Sequence, residues 1–363
     1  MRANRFVVGV LLMTAAAFAG EPAGTLNVDA VELVRGREVE GSAGISAMHY
    51  RYTYLFANEE NKVEFEKAPE RYEIQLGGAC GRMGALSGLG KTDLFATHQA
   101  RIYIFASESC RATFLRDPAK VLDRPDDTPE GSAEAKRRGS ELIERAVEGM
   151  GGAARVDAVA NYRYRRSRRS ESKGKMYEIV DTVTLKFPDG IRTDHVWGDQ
   201  RYTKVVTAND AWGDEPEGLY PLHSQQRDAA VKRYLGYNML AILKSRGRPD
   251  FVAVHEGSRK IEYDGGPMAI EFVKVHANLA TSTLGIDPET GRILTQSFRG
   301  RGSNVTFGKV ERAFTDFVEI DGVTLPKSYE ARFDGEDAEQ SSAGDVSLAL
   351  NVEQEGGFFT RPD

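Results

Sequence analysis

One phrase occurs twice in this chain, and it constrains the first third more than any other feature. Tyr54–Tyr72 reads Y-L-F-A-N-E-E-N-K-V-E-F-E-K-A-P-E-R-Y, and Tyr103–Val121 reads Y-I-F-A-S-E-S-C-R-A-T-F-L-R-D-P-A-K-V. Tyr54, Phe56, Ala57, Glu59, Phe65 and Pro69 of the first copy correspond to Tyr103, Phe105, Ala106, Glu108, Phe114 and Pro118 of the second. A repeated phrase of this length marks a repeated supersecondary unit. Each copy opens on a short aromatic and β-branched run, which predicts a mostly buried strand. Asn58 or Ser107 then offers a side-chain oxygen to the free N–H groups of a helix start. Glu59, Glu60 and Glu108 suit the positive end of that helix. Val63 and Phe65 point inward, and Pro69 and Pro118 close the helix.

These spacings resemble the YHS domain, a small treble-clef-like module related to heavy-metal-binding TRASH domains. Tyr52, Tyr54, Phe56, Phe65, Pro69 and Tyr72 carry the resemblance in the first copy; Tyr103, Phe105, Ser107, Cys110, Phe114 and Pro118 carry it in the second. It covers about residues 26–123 and implies a small α/β repeat domain there. Ala43–His49, where metal-binding members carry a cysteine pair, has no cysteine.

The 363-residue length gives enough chain for two cores. Arg2 and Arg5 precede the apolar run Phe6–Ala19, which closes on the small-x-small triplet Ala17-Phe18-Ala19. This predicts a secretory signal at residues 1–20, and hence a soluble exported, periplasmic protein. The run is short for a membrane span. A net charge of -6 gives no reason to expect nucleic acid. Cys80 and Cys110 are the only cysteines. In an oxidising compartment a disulfide between them is the default expectation, and a soft-metal site of Cys80, Cys110 and His98 or His49 is the alternative.

Gly88-x-Gly90-Lys91-Thr92 lacks the first glycine of a phosphate loop, because position 85 is Ala85; it reads as a glycine-rich connection between the copies. Residues 124–134, R-P-D-D-T-P-E-G-S-A-E, are proline-rich and polar and predict a linker. Residues 135–363 then form the second predicted domain. Leu142, Ile143, Ala146, Val147 and Met150 recur at helical spacing before Gly151-Gly152. Strand patterns follow. In Lys175–Phe187, Tyr177, Ile179, Val183, Leu185 and Phe187 share one face; in Val323–Asp334, Leu325, Tyr329, Ala331 and Phe333 do. Turn signals such as Pro188-Asp189-Gly190 and Asp321-Gly322 separate the runs. Asp228–Lys244 interrupts them with one or two amphipathic helices and a break at Gly236. The expected class is α+β, with a long antiparallel sheet curled into a half-barrel and helices on its concave side.

This layout resembles the periplasmic lipoprotein-carrier fold and its lipoprotein-sorting relatives. The residues that carry the resemblance are Gly149-Met150-Gly151-Gly152, Phe187-Pro188-Asp189-Gly190-Ile191-Arg192, Ala211-Trp212, Ile286-Asp287-Pro288-Glu289-Thr290-Gly291-Arg292, Asp321-Gly322-Val323-Thr324-Leu325-Pro326 and Phe358-Phe359-Thr360-Arg361-Pro362. The resemblance implies a greasy interior that holds acyl chains. Tyr177, Ile179, Trp197, Trp212, Tyr234, Met239, Ile242 and Leu243 are the expected ligand-lining residues.

No H-E-x-x-H, nucleophile elbow or cofactor motif is present in the sequence. The expectation is therefore a non-catalytic carrier of an apolar or lipid-like ligand, with no cofactor and no metal. A metal-handling protein working through the first domain is the alternative, and an enzyme with a scattered carboxylate and histidine site is another. The cluster Arg163, Arg165, Arg166, Arg168, Arg169 with Tyr162 and Tyr164 suits either a transient membrane-surface or protein partner, or a solvated edge strand guarded by charge. The edge strand is preferred.

Overall fold

The computed structural model describes residues 22–172, 174–216, 218–263, 266–302, 305–338 and 345–362. The expected signal segment lies outside them. The repeat region contains β1 (Gly24–Leu26), β2 (Ser42–His49), β3 (Tyr52–Phe56), β4 (Lys91–His98) and β5 (Arg101–Phe105). β1 pairs in parallel with β3, which pairs with β2; β4 and β5 form a second hairpin. The two copies match in detail. Asn58 and Ser107 take nearly identical extended φ/ψ and cap the helices Glu59–Lys67 and Glu108–Arg116. Each hairpin has the same register slip, at Ser42/Ser46 and Lys91/Phe95. His49 stands edge-on to Phe65 and His98 edge-on to Phe114, at 5.8 and 6.0 Å.

The copies differ in burial, and their sequences explain it. Tyr52, Tyr54 and Phe56 are buried while Thr53 and Leu55 are half-buried, as in a strand covered fully on one face. In β5 the continuous apolar run Ile102–Phe105 is buried on both faces. Ile102 and Ile104 join the core of the first copy, whereas Tyr103 and Phe105 pack around Phe114. The two copies are thereby fused through one strand.

The remaining strands build two seven-stranded antiparallel sheets. Sheet one contains β6 (Asn161–Ser172), β7 (Lys175–Lys186), β8 (Gly190–Trp197), β9 (Gln200–Val206), β10 (Ala211–Glu215) and β11 (Gly218–Pro221). Sheet two contains β12 (Val252–Tyr263), β13 (Gly266–Ala277), β14 (Ala280–Ile286), β15 (Ile293–Arg301), β16 (Phe307–Ile320), β17 (Val323–Phe333) and β18 (Glu336–Asp337). The late strand β19 (Asp345–Leu350) returns to sheet one and pairs with β6. β6 therefore lies between β19 and β7 and is not the edge strand expected from its arginines. A partner distant in sequence covers Tyr162–Ser167 of that edge.

Both sheets turn one dry face to a shared interior. The core there joins Val273, Leu284 and Ile293 of sheet two to Leu350 of sheet one, with Tyr162 packed against it. Sheet two curls strongly: Tyr263 on β12 donates its hydroxyl to the Phe314 carbonyl on β16. Helices fill one end of the interior. Ala133–Gly149 is capped by Ser132 and buries Leu142, Ile143, Ala146 and Val147. Its Gly139 lies where a Cβ would meet the Ala253 backbone at 2.7 Å, which lets the helix settle onto β12. The predicted interruption forms the helix Ser224–Ala230, a π turn Val231–Leu235 and the helix Met239–Lys244. Among the described residues, no helix is long and apolar enough to cross a membrane.

Phe65 and Phe114 are 2% and 0% exposed and centre the two aromatic clusters. Truncating either to Ala is expected to cost roughly 3–5 kcal/mol, measured by denaturant unfolding of the full chain.

Candidate ligand-binding site

Strand alternation carries each residue of sheet one to the interior or to the outside. Leu185, Ile191 and Val206 lie on the interior face, where they pack with Tyr220, Leu222, Ala230 and Leu235. One step further from the helices come Tyr164, Val183, Thr193 and Lys204, joined by the pairings Tyr164↔Val183, Val183↔Thr193 and Thr193↔Lys204. The next row is charged: Arg166, Asp181, His195 and Tyr202. His195 Nδ1 lies 2.6 Å from Asp181 Oδ1, and Arg166 donates to Asp181 Oδ2 at 3.1 Å. Burial pushes the Asp181 carboxyl up, but hydrogen bonds from His195 and Arg166 hold it below its ordinary range. Arg168, Ile179 and Trp197 form the row beyond.

Sheet two presents Gln296, Phe298, Val310, Arg312, Phe314, Tyr329 and Ala331 on its interior face. Arg312 lies over the rings of Phe298 and Tyr329, with its guanidinium carbon 4.8 and 4.7 Å from their centroids. Tyr237 stacks on Phe298 at 3.9 Å and so ties this wall to the helical segment. Arg312 Nη1 makes a long hydrogen bond to Gln296 Oε1 at 3.4 Å. Its Nε is shut off from solvent and has no partner among the described residues. Burial lowers the pKa of Arg312, and burial raises that of Tyr164 on the facing sheet.

The expected ligand-lining residues occupy three different places. Tyr177 and Trp197 meet edge to face at 5.9 Å on the interior face of sheet one, and Ile179 pairs with Trp197. Trp197 is 40% exposed; Ile179 is buried. Met239, Ile242 and Leu243 belong to the shared core, and Tyr234 packs against the Leu185–Ile191–Val206 cluster. The void beside Met239 is about 10 Å³, too small for a chain. Trp212 pairs with Val205 on the opposite face from Val206. That outer face carries the segment near Phe358, whose carbonyl accepts from Arg192 Nη1 at 2.7 Å.

Cys80 and Cys110 are two buried free thiols, so the expected disulfide is not formed. Instead Cys80 Sγ accepts the Ala106 N–H at 3.4 Å. Burial pushes the Cys110 thiol up, while hydrogen bonds from Ser107, Arg82 and Cys80 lower it overall. Among the described residues no three His, Cys, Asp or Glu side chains gather to hold a metal, so His98 does not complete a site with the two thiols.

Sequence patterns also missed the seam between the repeat region and the helical segment. Leu76 and Gly77 take left-handed φ of 60°, and a Cβ on Gly77 would meet Gln226 and His223 at 2.4–2.8 Å. His223 Nδ1 accepts the Gln225 N–H, so its Nε2 carries the proton and donates to Glu73 Oε1 at 2.8 Å. His49 Nε2 meets Glu73 Oε2 at 2.9 Å, and Tyr50 packs between the two imidazoles. Arg51 lies 3.7 Å over the Tyr220 ring, and Lys232 binds Asp126 at 2.8 Å. A further groove of about 240 Å³ lies on the outside, between Arg124–Asp127 and the outward residues Lys274, Thr283 and Lys309. Lys274 and Lys309 there are already paired, with Glu256 and Glu311.

No protein-family model matches the chain, and no curated protein does. Among solved structures it is similar to a DUF1329 family protein from Desulfovibrio piger, at 13% identity over 62% of this chain and 97% of that one, with a TM-score of 0.38. A putative outer membrane lipoprotein-sorting protein domain from Vibrio parahaemolyticus is similar at 9% identity over 62% and 97%, with a TM-score of 0.36. A LolA superfamily protein from Nitrosomonas europaea is similar at 12% over 61% and 97%, with a TM-score of 0.38.

Burial alone would raise the Glu73 carboxyl, but hydrogen bonds from His223 and His49 hold it down at about 2, against 4.5 for a free side chain. A carboxyl depressed by folding adds stability above its unfolded pKa and loses it as pH falls towards the folded value. Between about pH 5 and pH 2 the protein is expected to lose roughly 3 kcal/mol more stability than its Glu73→Gln variant, measured by denaturant unfolding at each pH. Met239→Trp is expected to destabilise the same fold by about 1–3 kcal/mol, because the core beside it has no room for an indole.

Proposed function

We propose that this chain is an exported carrier that holds an apolar, lipid-like ligand on the concave side of its two curled sheets. The observation that carries the proposal is Trp197. Its indole is 40% exposed on the interior face of sheet one, edge-on to Tyr177 and beyond the reach of the helices. An aromatic pair left open on the dry face of a curved sheet offers a large apolar area at little cost in side-chain entropy. The helical segment closes the other end of the interior around Met239 and Leu243. The ligand therefore lies between the Tyr177–Trp197 pair and the Phe298–Tyr329 wall. Arg2, Arg5 and the apolar run Phe6–Ala19 support export.

The chain has two tryptophans, Trp197 and the buried, outward-packed Trp212. The neutral probe N-phenyl-1-naphthylamine is expected to show saturable uptake by the full chain, with energy transfer from Trp197. Trp197→Ala is expected to weaken that uptake by about five- to tenfold, or about 1 kcal/mol, while leaving the unfolding midpoint nearly unchanged. Absence of saturable uptake by the folded protein would refute the carrier function.

A further inference from the structure

We propose that Arg312 is the seat for the acidic head group of an anionic amphiphile, so that the ligand enters the concave face charged end first. This inference rests on the carrier function proposed above and adds the chemistry of the ligand. Three cations on the interior face of sheet one have carboxylates. Arg166 and Arg168 share Asp181 at 3.1 and 4.0 Å, and Lys204 binds Glu215 at 3.1 Å. Arg312 has no carboxylate among the described residues; its neighbours are the rings of Phe298 and Tyr329 and the amide of Gln296.

A guanidinium removed from water and left without a counter-charge is unfavourable unless something pairs with it. Two ring faces compensate in part, and they also hold the planar fork in place. The Nε–H remains without an acceptor. Carboxylate and phosphate accept two parallel N–H bonds from an arginine fork, the geometry this side chain leaves unused. Arg233 on the π turn adds a second positive charge nearby, and Tyr164 faces the pair from sheet one. The side chains whose charge or dipole acts on Arg312 are Tyr164, Tyr237, Tyr329 and Arg233, and none of these is a carboxylate. Beside this basic point lie apolar Phe298, Val310, Phe314 and Ala331 on the same face. A head group held at Arg312 would leave its hydrocarbon on that wall.

The test compares cis-parinaric acid with its methyl ester, which has the same polyene and no charge. Both are titrated by fluorescence into the full chain at low ionic strength. The acid is expected to bind about tenfold more tightly than the ester or better, the value of one charge-assisted pair. Arg312→Gln is expected to erase that preference with ester binding unchanged, and Arg312→Lys to keep part of it. If Arg312→Gln loses its near-ultraviolet circular dichroism, the wild-type preference and the Arg312→Lys variant decide. Millimolar inorganic phosphate is expected to leave the bound acid in place; displacement would assign the site to a free anion and overturn the amphiphile. Equal binding of acid and ester by the wild type would overturn the head-group site and leave the apolar carrier standing. Failure of both probes to bind would remove the carrier function and this inference together.

Discussion

A sheet with one dry face must be covered, and in this protein the helix Ala133–Gly149 and the short segment at residues 224–244 cover it together. Residues 224–244 bury Ala230 and Leu235 against sheet one and Met239, Leu240, Ile242 and Leu243 in the shared core. Fully burying a side chain of this kind contributes about 1.5–3 kcal/mol. The same segment is polar on its other side. His223, Gln225, Gln226 and Lys232 hold Glu73, Leu76, Ala85 and Asp126, so the repeat region is seated on the back of the helices that close the half-barrel. Loss of this segment would open the core and remove these polar contacts to the repeat region in one event. The two regions are also joined outside that stretch: Arg301 donates to the Arg82 and Val121 carbonyls, Arg299 pairs with Asp123, and Arg51 lies over the Tyr220 ring.

Local patterns made much of this architecture legible. The doubled phrase, its caps and its prolines specify the strand–helix units because every determinant lies within a few residues. The helix Ala133–Gly149 and strands β7 and β17 follow from periodicity for the same reason. What stayed hidden depends on partners far apart in sequence. Glu73 and His223 meet across the seam, and β19 finds β6 only after the rest of sheet one is in place. No local rule marks either pairing. The free thiols were missed for a related reason: cysteine count and compartment fix what chemistry is available, not what the Ala106 N–H and Arg82 do to the sulfurs.

The concave face did leave a signal, and it was a break in pattern. Asp181 sits in the apolar phase of Ile179, Val183 and Leu185, and Arg312 in the apolar phase of Val310 and Phe314. A charge in the dry register of a strand must be paired inside the fold or exposed within a cleft. Asp181 is the first case, with His195 and Arg166. Arg312 has two ring faces and an amide beside it, and no carboxylate among the described residues. Trp212 shows the opposite trap: its size suggests a cavity wall, yet its register places it on the outer face with Val205.

The return of β19 to β6 bears on how the chain reaches this state. Until Asp345–Leu350 pairs with it, one side of Tyr162–Ser167 is a ladder of unpaired N–H and C=O groups. A pairing between positions this distant in sequence is slow to form, because the loop between them must close first. During that interval the strand is vulnerable to pairing with another chain. Arg163, Arg165, Arg166, Arg168 and Arg169 give it a dense positive charge over the same interval, and like charges repel when two such strands approach. The arginines, interior ligands of Asp181 and outer-face cations in the finished fold, would also repel a second copy of the strand for as long as that edge stays open.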